Sequence, residues 1–464
     1  MDEREIELQG YLEKDGTRIA ITAAYASRLS LFINFHRGEK VNDGIEFNRL
    51  VLNISDQEVE FSQCRFYSER THKGFMGLLI FIDDVYDFNN IIFNKKFVNI
   101  QTSFHNLPLV LSQKDQIKDS FKNYTSKVVY DFAVYKYFFD DLDRKYANES
   151  KKVRRIAQEI LIKKEGRRFM QFFDSTLKEL EEEIADFDKK DHQSHGFYFR
   201  KQVWEFILGS EFLRRTNLKP RGYVGDSQMI SMCYENDYRG NFVFNKLVHK
   251  HPLETEAGHA VRNRRIFIPQ ALRRVQKEFS GLPKRGFKFM SVACGSAVEL
   301  QDVFMTADDS EAFHCVLFDQ DGRALHDAKE GIEQIIKTRG IHLKIDYLSE
   351  SVRTMLRNPQ LFERWGQFHF IYSLGLFDYL TPPVAKRVLK KLYDLLLPGG
   401  QLLIGNFHIN NPNRYYMEYW MDWVVYYRTE EAFTDLSNDI QGAESSVFCD
   451  ETGVQMFLNV RKSA

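Results

Sequence analysis

The sequence predicts an α/β chain in three parts: a small N-terminal β-barrel, a helical region, and a C-terminal sheet of mostly parallel strands covered by helices. Three observations predict it. Up to about Val110 apolar residues fall in short runs broken by Gly, Asn and Asp. From there to about Asn217 they recur at three- and four-residue steps, and after Phe287 strands and helices alternate.

Composition narrows the class. The 464 residues suffice for roughly two to four domains. With 43% hydrophobic and 28% charged residues, and no apolar run near the roughly 20 residues of a membrane span, neither disorder nor an integral membrane segment is expected. The start Met1-Asp2-Glu3-Arg4-Glu5 is charged and leads into no apolar signal core, so the expected location is the cytoplasm. Cys64, Cys233, Cys294, Cys315 and Cys449 are scattered, with no CxxC pair, so buried free thiols and no metal are expected. Lys and Arg number 64 against 65 Asp and Glu, which gives no overall basic field, and nucleic acid is not an expected partner.

In the first part, 1–110, the β-rich runs are 28–35, 49–54, 59–66, 75–82 and 91–100. Their order resembles the PilZ-type barrel, a bacterial family whose members often bind cyclic di-GMP through paired arginines and a D/N-x-S-x-x-G turn. Asn53-Ile54-Ser55-Asp56-Gln57-Glu58 keeps the start of that turn but puts Glu in the glycine position, and Arg28 and Arg37 lack the expected spacing. The resemblance therefore implies an interaction or docking domain that does not bind the dinucleotide.

In the second part, 111–217, Ile117, Phe121, Tyr124, Val128, Phe132 and Tyr135 form one helical stripe. A second stretch runs over 153–160 and a third through Phe169, Leu177, Leu180 and Ile184; residues 186–196 interrupt, and 204–213 resume the helix. These stripes are expected to be core, in a lid or a homodimer contact.

In the third part, 218–464, strands are expected at 287–293, 314–319, 342–346, 368–373 and 401–407, then a hairpin of 447–449 and 454–460. A closing hairpin distinguishes this sheet from an all-parallel dinucleotide-binding one. The first strand ends in Ala293-Cys294-Gly295-Ser296 with Glu299 close behind, a turn of small residues that lets backbone approach a ligand. The second ends at Asp319-Gln320, where a carboxylate can accept from both hydroxyls of a ribose. Asp346-Tyr347-Leu348 follow the third strand, at the position for pairing with an adenine edge, and Ser373-Leu374-Gly375 end the fourth. Leu397-Pro398-Gly399-Gly400 turns sharply into the fifth.

This ordered set resembles the class I S-adenosylmethionine-dependent methyltransferases over about 287–460, which implies a Rossmann-like seven-stranded sheet and S-adenosylmethionine as cofactor. A closer resemblance, from Lys219 onward, is to the bacterial 3-hydroxypalmitic acid methyl ester biosynthesis family, whose members are thought to make a quorum-sensing fatty-acid methyl ester. It is carried by Lys219-Pro220-Arg221-Gly222-Tyr223-Val224-Gly225-Asp226, Ala260-Val261-Arg262-Asn263-Arg264-Arg265, residues 291–299, Gly405-Asn406-Phe407-His408 and Asn413-Arg414-Tyr415-Tyr416-Met417-Glu418. The resemblance implies O-methylation of the carboxylate of a small, lipid-like acid. Such a carboxylate is already ionised near neutral pH, so no general base is required. Arg221, Arg262, Arg265 and Arg414 are candidate cations for it, Tyr223, Asn406 and His408 candidate polar groups, and Met417, Trp420 and Trp423 candidate groove walls. The block expected to act directly is Tyr223, Arg262, Asn406, His408 and Arg414. Two rivals stand beside this reading. One is a regulatory protein with a sensor barrel and a cofactor-bound but inactive methyltransferase domain. The other, a nucleic-acid methyltransferase, lacks the N/D-P-P-Y/F motif, since Ser373-Leu374-Gly375 stands in its place.

Overall fold

The structure, a computed structural model, describes residues 4–26, 30–35, 41–54, 57–71, 74–81, 113–279, 281–283, 286–357 and 361–463. The chain divides into two compact units, Met1–Gln116 and Ile117–Ala464.

The first unit is an antiparallel sheet of strands β1 (Arg4–Lys14), β2 (Thr17–Ala26), β3 (Ser30–Phe35), β4 (Glu46–Phe47), β5 (Arg49–Ile54), β6 (Gln57–Phe61), β7 (Cys64–Thr71) and β8 (Gly74–Phe81). Their order is β4-β7-β8-β3-β2-β1-β5-β6. Phe47 and Phe61, from the two edge strands, enter the same core as Leu12, Ile21 and Ile33. No strand is expected before residue 28, yet β1 and β2 form the longest hairpin. Asp15 and Gly16 turn it with φ of 50° and 81°, the left-handed pair that a tight hairpin favours and that an Asp-Gly dipeptide supplies. The single run expected at 59–66 is two strands, broken at Ser62-Gln63. The run at 91–100, together with Arg28, Arg37, Ser55 and Asp56, lies outside the described residues.

The second unit begins with helices α1 (Asp119–Lys145), α2 (Lys151–Leu161), α3 (Arg167–Glu183), α4 (Lys189–Gln202), α5 (Trp204–Gly209), α6 (Glu211–Leu218), α7 (Ser227–Glu235), α8 (Val243–Lys250) and α9 (Glu256–Glu278). Phe121, Tyr124, Val128 and Phe132 of α1 are buried, as their spacing requires. The expected break at 186–196 is present only as far as Asp188, and the remainder is helix. Asp188 and Asp191 form a reciprocal capping box that starts α4 at Lys189, and Gly196 sits inside it beside Tyr419. The second stripe also departs from expectation: Val153, Ile156 and Ile160 of α2 are exposed, and no residue of that helix is buried.

The sheet follows, with strands β9 (Phe287–Val292), β10 (Phe313–Asp319), β11 (Lys344–Ser349), β12 (Phe368–Ser373), β13 (Leu396–Phe407), β14 (Ala443–Cys449) and β15 (Gln455–Lys462) in the order β11-β10-β9-β12-β13-β15-β14. The first five are parallel; β15 runs antiparallel between β13 and β14. Leu396 pairs with Phe368, the register then slips, and Gln401 pairs with Phe370. The Leu397-Pro398-Gly399-Gly400 turn is thus a bulge inside β13, with Gly399 at φ 78°.

Helices and sheet share a core. Helices α10 (Leu300–Val303), α11 (Ala307–Ala312), α12 (Gly322–Arg339), α13 (Val352–Arg357), α14 (Leu361–Trp365) and α15 (Pro382–Asp394) lie between the strands. After β13, helix α16 (Arg414–Trp420) sends Trp420 between Phe132 of α1 and Phe173 of α3, with ring centroids 5.2 and 4.9 Å away. Met417 and Trp420, expected as groove walls, are core residues, because α16 turns them toward the helices. Trp420→Ala is expected to cost about 3–5 kcal/mol, the usual penalty for emptying a buried aromatic site. Calorimetry should show the helical region and the sheet still melting together, at lower temperature.

Candidate functional site

In open parallel sheets, ligands sit beyond the carboxyl ends of the strands, where the strand order reverses. Here that point is between β9 and β12, and a cavity of about 420 Å³ opens there, within the range of small-molecule sites. Its walls come from the loops after β9, β10, β11 and β12, from α7 and α9, and from Trp423.

The loop after β9 shapes its floor. Ala293, Gly295 and Ala297 all have positive φ, at 54°, 56° and 48°. Alternate left-handed residues turn successive backbone N–H groups to one side, which makes an anion-accepting concavity. Two of the three positions are alanine, so the glycine pattern is absent while the backbone shape is present. Cys294, Ser296 and Glu299 line the same wall. Asp319, at the end of β10, is buried; its Oδ2 accepts from the Gly295 N–H at 2.9 Å and its Oδ1 from the Asp321 N–H at 2.9 Å. The carboxylate therefore holds the loop and retains acceptor capacity toward the cavity. Gln320 lies beside it.

The third corner differs from expectation. Strand β11 continues to Ser349, so Asp346, Tyr347 and Leu348 lie within the strand rather than after it. Asp346 is exposed and pairs with His314 at 2.7 Å; Tyr347 and Leu348 pack against the two faces of the sheet. Glu350 and Val352 occupy the strand end and line the cavity. Glu350 Oε1 pairs with Arg364, whereas its buried Oε2 has no hydrogen-bond partner among the described residues. At the fourth corner Leu374 and Gly375 face the cavity, but the Ser373 hydroxyl donates to the Val292 carbonyl at 2.9 Å inside the sheet.

Of the residues expected to act directly, only Tyr223 lines the cavity; its hydroxyl donates to Asp321 Oδ2 at 3.1 Å. Arg262 donates to the carbonyls of Leu253 and Cys233, at 2.6 and 3.4 Å. Asn406 is fully buried, donating to the carbonyls of Phe407 and Tyr426 and accepting from Arg428. His408 pairs by backbone with Val454 and Arg428, and Arg414 with Glu418 at 2.9 Å. The other candidate cations are engaged as well, Arg221 with Asp321 and Asp327, and Arg265 with Asp302.

The cation at the cavity is Arg264, which sequence reasoning placed in the motif but not in the site. It lies on the buried stripe of α9 with Ala257, Ala260, Val261 and Ile268, so helical spacing alone distinguishes it from Arg262 and Arg265. Its Nε donates to Gln455 Oε1 at 2.5 Å; its Nη2 is 3.8 Å from Asp378 Oδ2 and makes no hydrogen bond among the described residues. Burial pushes the carboxyls of Glu299, Asp319 and Asp378 above their ordinary range, and Arg264 opposes this at Asp378. Tyr379 completes the wall, its hydroxyl donating to the Val224 carbonyl and accepting from Trp423 Nε1 at 2.8 Å.

The strand order, with its final antiparallel hairpin, defines the class I methyltransferase-type sheet. No family profile matches the chain, and no curated protein matches it. Solved structures similar to it include a possible exported protein from Bordetella parapertussis, at 16% identity over 61% of this chain and 90% of that one with a TM-score of 0.43. Magnesium protoporphyrin IX methyltransferase from Synechocystis PCC 6803 with bound SAM is 9% identical over 44% and 83%, with a TM-score of 0.31. The N-methyltransferase NodS from Bradyrhizobium japonicum WM9 in complex with S-adenosyl-L-homocysteine is 13% identical over 44% and 88%, also at 0.31. The type of sheet rests on the strand order.

Two expectations follow. A non-glycine residue in the left-handed region costs roughly 1–2 kcal/mol, of which the entropy of a new glycine offsets about 0.5–1. Ala293→Gly should therefore stabilise slightly and Ala293→Val destabilise, an order that urea unfolding checks. Glu299 has its folded pKa raised by burial, so its contribution is fully favourable below about pH 4.5 and is lost as pH rises through the folded value. Glu299→Gln removes that loss. The melting temperature of the variant should gain on the native protein from about pH 4.5 toward neutrality, and a constant difference would refute the burial argument.

Proposed function

We propose that the chain is an S-adenosylmethionine-dependent methyltransferase that O-methylates the carboxylate of a hydroxylated fatty acid or a similar small lipid-like acid. The observation that carries the class is the left-handed loop 293–297 clamped to a buried Asp319 at the strand ends. The residues present fit the cofactor. Asp319 would accept from the ribose hydroxyls, Glu350 and Val352 would flank the adenine, and the backbone of Gly295 and Leu374 would meet the amino-acid end.

The cofactor supplies an electrophilic methyl carbon on a sulfonium. The chain must hold the acceptor oxygen in line with it, at roughly 3–3.5 Å, with water excluded. Arg264, a lining residue whose buried Nη2 makes no hydrogen bond among the described residues and lies 3.8 Å from Asp378, would orient the ionised carboxylate by turning toward it, and the acid needs no base to deprotonate it. Ile230, Leu376, Leu380 and Trp423 give an apolar wall for the tail. The N-terminal unit would then be a PilZ-like docking domain without a cyclic di-GMP site.

One observation favours the second reading, a cofactor-binding regulator. A cavity of about 420 Å³ matches a single small ligand, so an acyl tail must leave through its mouth. Mass spectrometry of the purified protein with S-adenosylmethionine and a lipid extract separates the two, since only the enzyme adds one methyl group to an acid. In calorimetry, Asp319→Asn should weaken cofactor binding about ten- to hundredfold, the scale of one charge-assisted hydrogen bond. Arg264→Lys should leave that affinity unchanged and raise KM for the acid. Unchanged cofactor affinity in Asp319→Asn would remove the class assignment; faster methylation of an amine or phenol than of any acid would remove the acceptor.

A further inference from the structure

Helix α2 is built the wrong way round for a surface helix of a globular protein. Its apolar residues Val153, Ile156 and Ile160 lie on one face, three and four positions apart, and are 42%, 42% and 47% exposed. A helix of this pattern ordinarily turns that face to the core. Here the apolar contact with the protein is confined to the end of the helix, where Leu161 is half-buried against the core, and along the rest a polar residue faces the protein. Gln158 donates to Asp143 Oδ1 at 2.8 Å and to the Asn241 carbonyl at 3.0 Å, and accepts from Lys246 at 2.6 Å. Beyond the helix, Gly166 is buried against Leu247, where a Cβ would come within 2.9 Å of Cδ2. Both anchors fix the orientation, so the outward turn of the apolar face is set by the fold.

The charge around this face is one-sided. Residues 151–168 carry eight Lys and Arg against two Glu, Glu159 and Glu165, for a net +6 in a chain whose total is −1. Both glutamates pair with arginines at exposed positions, Glu159 with Arg155 and Glu165 with Arg168. A second copy of this chain presenting the same face would set +6 against +6, which disfavours a symmetric dimer there. A nucleic acid would use the charge but gain nothing from Val and Ile, which offer no stacking surface. A short basic helix with exposed aliphatic residues meets both features of one partner, the phosphate charge and the acyl boundary of an anionic bilayer.

We infer that α2 and the basic turn after it dock the protein on an anionic membrane surface, with Val153, Ile156 and Ile160 entering the headgroup layer. The helix lies in the surface and does not cross it; among the described residues no helix is long and apolar enough to do so. This inference does not rest on the methyltransferase reading.

The test is sedimentation of the full chain with vesicles of phosphatidylcholine alone and of an equimolar mixture with phosphatidylglycerol. Binding is expected to the mixed vesicles, and to fall at least tenfold as salt rises from about 0.1 M to 1 M, because screening shortens the reach of each charge. Lys152→Glu with Arg155→Glu should lower it by about tenfold or more, and Ile156→Asp should lower it while leaving the melting temperature unchanged, since the side chain is exposed. No binding to mixed vesicles, or binding indifferent to these substitutions, overturns the inference. So does a dimer in analytical ultracentrifugation that Ile156→Asp dissociates. Salt-sensitive binding to duplex DNA tighter than to the vesicles and unaffected by Ile156→Asp overturns it as well.

Discussion

The cavity depends on a buried chain of polar side chains that joins five parts of the sequence, in α9, the loop after β12, β13, the segment at Arg428, and β15. Arg264 of α9 donates to Gln455 of β15; Gln455 donates to the Asn406 carbonyl at 3.2 Å; Asn406 accepts from Arg428; and Arg428 donates to the carbonyls of Phe377 and Leu380 at 2.8 and 2.5 Å. Asp378 closes it, accepting from the Phe407 N–H at 2.8 Å. Every link but the one to the half-buried Leu380 is buried, where a missing partner is costly and hydrogen bonds reinforce one another. The loop after β12, which forms one wall of the cavity, is therefore held by α9, β13 and β15 together. Asn406 belongs to this brace rather than to the site: it fixes the wall without touching what the wall encloses.

The second constraint is the loop after β9. A glycine-rich sequence adopts left-handed residues without cost, whereas Ala293 and Ala297 must be held there. The holding groups are visible. Asp319 grips the Gly295 N–H, and the Cys294 N–H donates to the Phe318 carbonyl at 3.2 Å, so the loop is tied to β10 on both sides of its tightest point. The strain is sustained because a neighbouring strand over-determines the backbone, which explains how one glycine serves where three are usual.

Much of this was legible in the sequence, and the failures have distinct causes. The parallel strands were found because they are continuous apolar runs between turns, and Asp319 was found because it ends one of them. The end of β11 is not legible because the strand lies at the sheet edge with the alternating burial of a half-exposed strand, so its polar residues resemble a loop. The longer strand puts Glu350, and not Asp346, on the cavity wall. Arg262 was preferred to Arg264 because a run of arginines has no direction until the helix is given one; the stripe Ala257, Ala260, Val261, Ile268 supplies it. His408 and Arg414 follow β13, but β13 pairs with β15 rather than opening on the switch point, so position after a strand was not enough.

Charge in the cavity constrains what it can hold. Glu299, Asp319, Glu350 and Asp378 line it with Arg264 as the cation among its described lining residues. Burial of the carboxylates has already raised three of them, which is the response of a site with more negative charge than it can comfortably solvate. A cationic ligand relieves that imbalance and gains from it in a low-dielectric setting. An anionic acceptor alone would add to it, and drawing Arg264 away from Asp378 would leave that carboxyl only the Phe407 N–H and Arg428 to oppose its burial. On the proposed reading this electrostatics couples the two ligands: the cation offsets the field that the acid enters, and by linkage the acid strengthens the cation's site by the same factor.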